Sequence, residues 1–231
     1  MSRTLEFAIW FLTALLQVGV VVCAIRAKSF LQFFPLNFYM LVASLFTVVR
    51  FMVLVKFGLT SSQYFYFYYY SDALLTICLF FALMALFAHV FHEMGAETYI
   101  RVGAILVLGL ISAVSYFVVR QAQDQMMTHF VAKLSQNLYF IGAVITYVLW
   151  AAVRKMHETR TQLIQLVLSL GVYFSAYAAS WALAVIYPES SLWKFGPYIM
   201  SLWLPLAWGY TFLKIPEGAR LATARVTAAA R

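Results

Sequence analysis

Residues Tyr64–Asp72, YFYFYYYSD, set seven consecutive aromatics before a serine and a carboxylate, and Ala73–Phe91, ALLTICLFFALMALFAHVF, then runs on almost without polarity. A run of about 18 or more apolar residues reads as a helix long enough to cross a bilayer. Asp72 lies inside that reading. A lone charge at the centre of a membrane helix costs about 2.5–3.5 kcal/mol on insertion scales, so Asp72 calls for a partner or a wet cavity.

The whole chain follows the same pattern. Of its 231 residues, 65% are hydrophobic and 10% charged, against about 25% charged in soluble domains. The apolar residues come in blocks, giving seven expected spans: Leu5–Ile25, Asn37–Phe57, Tyr66–Val90, Val102–Val119, Leu138–Val153, Leu163–Ile186 and Tyr198–Ile215. The expected fold is an all-helical, polytopic integral membrane bundle. It occupies residues 1–215 as one domain, with a short basic tail at 216–231. The first block is longer than a signal peptide's apolar region and lacks a suitable cleavage site, so it is read as a span. Arg120–Asn137 has Met126, Met127, Phe130, Val131 and Leu134 at helical spacing. That pattern fits either an amphipathic helix along the interface or a longer fourth or fifth helix leaving the bilayer.

The net charge of +8 does not point to nucleic acid, because the sixteen Lys and Arg are scattered between apolar blocks rather than gathered with interleaved aromatics. They read as topology signals. Ten fall after spans one, three, five and seven, five on the opposite side, and the last, Arg50, within a span. This asymmetry places the N-terminus outside and the C-terminus inside. Lipid bilayer is thus the first partner, and short loops favour a bacterial inner membrane.

Polar and small residues recur at helical steps inside the spans, as a bundle interior requires. Span one has Glu6, Trp10, Thr13 and Gln17; span two Ser44, Thr47 and Arg50; span three Asp72 and Thr76; span five Tyr139, Gly142, Thr146 and Trp150. Span six has Gln162, Gln165, Ser169 and Tyr173 on one face and Gly171, Ser175 and Ala179 on another. In span seven Pro205 removes a backbone donor and should bend the helix.

Arg50 lies seven residues before Phe57 and Asp72 six after Tyr66, so both sit roughly 9–10 Å below the same membrane face. The short GLTSSQ segment makes their helices antiparallel neighbours. An Arg50–Asp72 ion pair is therefore expected. It serves either as a structural clamp or, with Tyr68, Tyr69 and Glu6, as part of a polar chamber open to the outside that binds a small or lipid-like molecule or relays a proton. The aromatic run itself reads as an interfacial belt, with some rings turned inward because seven in a row circle the helix.

Catalytic signatures are missing. No G-x-S-x-G, phosphate loop or clustered carboxylates occurs, and a retinal Schiff base would want a mid-helix lysine where span seven has only Lys214 near its end. His89, His92 and His157 fall on one predicted side and form the weaker alternative of a metal or haem site, but HxxHE matches neither zinc-peptidase spacing. No cofactor is expected. Cys23 and Cys78 read as packing residues. The functional expectation is a membrane protein that binds or transports a small or lipid-like molecule. The alternatives are a sensory or accessory subunit packed against a membrane-protein partner, which the small-residue face of span six and a basic tail would suit, and an intramembrane enzyme.

Overall fold

The computed structural model describes residues 3–58, 61–91, 97–120, 126–155, 160–187 and 196–215. Seven α-helices account for nearly all of them: α1 Arg3–Arg26, α2 Phe34–Phe57, α3 Ser62–Val90, α4 Glu97–Val119, α5 Met126–Lys155, α6 Thr161–Ile186 and α7 Gly196–Lys214. The described residues contain no strand. Helices α1 to α6 are long and apolar enough to cross a membrane. Helix α7 has 19 residues, about 28 Å of rise.

Six helices close a ring in the order α1, α2, α3, α5, α6, α7 and back to α1, with α3 also touching α6 across it. Helix α4 stands outside, against α3 and α5. Its attachment is a small apolar cluster of Ala104 and Ile111 with Phe80, Leu134 and Leu138. Asn137 also donates to Ser115 Oγ at 2.9 Å. The outward faces are oily: Phe11, Leu106, Leu110 and Phe117 are all more than 60% exposed. In water such a surface would be a continuous apolar patch; in a bilayer it faces lipid. The chain is a multi-pass membrane protein.

Local chemistry sets the turns. Gly58 ends α2 at φ 84°, donating its N–H to Leu54 O, a left-handed conformation that glycine adopts without strain. Ser61 caps α3 by accepting from the Tyr64 N–H at 3.2 Å, satisfying one of the free amides at a helix start. Asn37, fully buried, ties the α1–α2 connection by donating to the Phe30 and Phe33 carbonyls.

Every helix starts before its expected span, by four residues or more in α3, α4 and α5. Helix α3 starts at Ser62 rather than Tyr66 because of that serine cap. Helix α5 runs unbroken from Met126 to Lys155, 30 residues, so the amphipathic segment is the first part of a long fifth helix and not a separate interfacial one. Its inward apolar side, Val131, Leu134 and Leu138, is buried, and that burial carries the helix beyond the expected span. The tail, 216–231, lies outside the described residues.

Packing is uneven along the bundle. Where α2, α4 and α6 begin, the ring is filled by Ala24, Phe33, Leu36, Leu83, Leu86, Leu163, Leu166 and Trp208, all nearly inaccessible. The Trp208 indole donates to Ser169 Oγ at 2.8 Å. Glycine permits a close approach of α5 and α6. A Cβ on Gly142 would fall 2.5 Å from the Phe174 ring, and one on Gly171 3.1 Å from Thr146 Cγ2, so α5 and α6 meet as small residues allow. The other end is not filled.

Candidate functional site

The unfilled end is a cavity of about 610 Å³ where α1, α3, α5 and α7 begin, walled by every helix except α4. Its size falls within the roughly 300–1,000 Å³ of small-molecule sites. Among the described residues, twelve on the wall are aromatic, and Arg50 and Asp72 are the only charged ones, so an occupant meets much ring surface there and one ionic locus.

That locus is built from α2 and α3. Arg50 Nη2 lies 3.9 Å from Asp72 Oδ1, longer than the 2.7–2.9 Å of a charge-assisted hydrogen bond. The tighter partners of Arg50 are its Nε bond to Ser71 Oγ at 2.7 Å and its Nη2 bond to the Tyr68 carbonyl at 3.2 Å. Its guanidinium also lies 4.5 Å from the centre of the Tyr68 ring, within cation–π range. Ser71 in turn donates to Tyr68 O at 3.0 Å. The sequence reading paired Arg50 with Asp72 and missed Ser71, which sits one residue before the carboxylate. One turn of α3 presents Tyr68, Ser71 and Asp72 together because positions three and four apart share a helix face.

The aromatic run divides between two environments. Tyr64 is buried and Tyr68 and Tyr69 are partly buried, all on the cavity wall, whereas Tyr66 and Tyr70 are over 40% exposed and face outward. Opposite them, α5 and α6 supply a second aromatic group. Tyr139 stacks on Tyr177 at 4.5 Å with 14° between planes, and Tyr173 lies 4.7 Å from Tyr177. Thr76 donates to the Tyr139 oxygen at 3.2 Å. The buried Ser135 hydroxyl lies close to Asp72 but completes no hydrogen bond of good geometry. The sequence reading had Tyr139 and Tyr173 on inward stripes but did not single out Tyr177, since nothing local distinguishes a wall tyrosine from a packing one.

The polar stripes of α1, α2 and α7 converge here. Thr47 donates to Gln17 Oε1 and Thr13 meets Ser201 Oγ, each at 3.5 Å. Trp10 and Pro205 also line the wall. Pro205 sits inside α7, and with no N–H it leaves the Ser201 carbonyl without its usual helical donor. Two members of the expected stripes point away: Trp150 and Gln165 are exposed. The side chain of Glu6 lies outside the described residues.

The histidines are elsewhere. His89 is at the far end of α3, its ring 5.7 Å from that of Phe33 and its Nε2 3.4 Å from Arg160 Nη1. His92 and His157 lie outside the described residues, among which no group of three or more His, Cys, Asp or Glu comes together. Comparison with protein-family models, curated proteins and solved structures finds no match to this chain.

Proposed function

We propose that this protein binds, and in doing so carries or senses, a small or lipid-like molecule held in the aromatic-walled chamber. The observation that carries the reading is the 610 Å³ cavity into which Arg50, Asp72, Tyr68 and Tyr69 all open. A pair of opposite charges kept only as a clamp is expected to be packed over; this pair lines the cavity. Arg50 retains an Nη1 group with no acceptor among the described residues, and Asp72 retains acceptor capacity that a 3.9 Å contact does not use. A ligand with both a donor and an acceptor would satisfy both.

We take α7 as the seventh span, since it closes the ring between α6 and α1, and we place the chamber in the outer half of the bundle from the Lys and Arg asymmetry. Short connections suit a bacterial inner membrane. For the accessory-subunit reading, Gly171 packs on Thr146 of α5, while Ala179 of the same small-residue face is exposed.

The test is gentle detergent purification followed by native mass spectrometry of the wild type and of Arg50→Leu/Asp72→Leu. The wild type should retain a bound mass that the folded double variant lacks. A wild type without any bound mass, or a double variant that retains it equally, would overturn the reading.

A further inference from the structure

A second cavity, of about 330 Å³, lies between the first turns of α3 and α5. Phe65, Tyr69 and Ala132 belong to the walls of both cavities, so one layer of side chains stands between them. The layer is thin on the α5 side, where Ala132 offers only a methyl group. The remaining wall is Tyr66 with the polar Ser62, His129 and Thr128, and the Thr128 hydroxyl is buried with no hydrogen-bond partner among the described residues. Helix α4 covers the α3–α5 seam farther along, where Ala104 and Ile111 meet Phe80 and Leu138. The second cavity sits on the turns beyond that contact.

Resting on the reading that the chamber holds a ligand, we propose that this ligand is a single-chain amphiphile drawn from the bilayer, which enters sideways between α3 and α5, passes Tyr69 and lodges its head between Arg50 and Asp72. The chemistry of the two ends matches such a molecule. A zwitterionic head gives Arg50 an anionic group for its unused N–H donors and gives Asp72 an ammonium. An acyl chain lies against the aromatic wall and reaches toward the second cavity past the apolar Phe65 and Ala132.

The test uses the whole protein in phosphatidylcholine bilayers with a lysophosphatidylethanolamine carrying a diazirine near its head, and maps the photolabelled residues by peptide mass spectrometry. Labelling is expected at Tyr139, Tyr177 or Trp181, competed by unlabelled lysophosphatidylethanolamine. In Ala132→Trp the rate of chamber labelling should fall about tenfold or more, because an indole across the passage slows entry; in Tyr69→Ala it should rise. Labelling confined to lipid-facing residues, or chamber labelling equal in Ala132→Trp and wild type, overturns the proposal. If Ala132→Trp does not fold, an unchanged rate in Tyr69→Ala overturns it alone. A bound mass in native spectrometry with no chamber labelling would overturn lateral entry of an amphiphile and leave the chamber reading standing.

Discussion

Arg50 is bonded more closely to Ser71, at 2.7 Å, than to Asp72, at 3.9 Å. Helix α2 is thus tied to α3 mainly through the hydroxyl of the residue beside the carboxylate, which accepts from Arg50 and donates to the Tyr68 carbonyl, and the guanidinium also meets a carbonyl and a ring.

That arrangement predicts unequal losses. Asp72→Asn leaves Arg50 with Ser71 and Tyr68, and should lower stability by only about 1–2 kcal/mol. Arg50→Leu strands a carboxylate in a low-dielectric wall and should cost about 3–5 kcal/mol, while Arg50→Leu/Asp72→Leu should return close to wild type. Thermal unfolding in detergent measures the order. Equal damage from Asp72→Asn and Arg50→Leu would count against it.

Gly142 faces the Phe174 ring at a distance no Cβ tolerates. Gly142→Ala should therefore force α5 and α6 apart and lower stability by about 1–3 kcal/mol. Gly171→Ala, opposite the Thr146 methyl at 3.1 Å, should cost less. The same unfolding measurement compares them, and a stabilising Gly142→Ala would refute the packing account.

Ser169 is the acceptor for the buried Trp208 indole. Ser169→Ala leaves that N–H unpaired in the filled half of the bundle, an expected loss of about 1–3 kcal/mol. The shift in tryptophan absorbance should accompany a lower melting temperature. Ligand retention should not change, because neither residue borders the cavity.

Orientation is tested by thiol labelling in a background with Cys23 and Cys78 replaced by serine. Lys56→Cys, at the end of α2 beside the chamber, should react with an impermeant maleimide in intact cells. Lys155→Cys, at the end of α5, should react only after permeabilisation. The opposite pattern would move the chamber to the inner half of the membrane.

Before any coordinates, the chain already dictated seven helices and a lipid environment. Apolar blocks near bilayer length, and the need to pair every backbone group inside lipid, leave little other choice. The depth match of Arg50 and Asp72 was equally legible, since helical rise is fixed and the connection between them is short. The inward direction of Thr13, Gln17, Thr47 and Thr76 followed from polarity, because lipid rejects hydroxyls and amides.

Tertiary packing alone decided which residues meet. Ser71 and Asp72 are neighbours in sequence, and only the rotation of α3 against α2 chose the hydroxyl as the tighter partner of Arg50. The tyrosines of α5 and α6 join the chamber because Gly142 and Gly171 let those helices close on each other at one level while the ring stays open at another. Tyrosine suits an interface, a core and a cavity wall alike, so its local chemistry does not select among them; the relative rotation and separation of whole helices does, and those are set by contacts far apart in the chain.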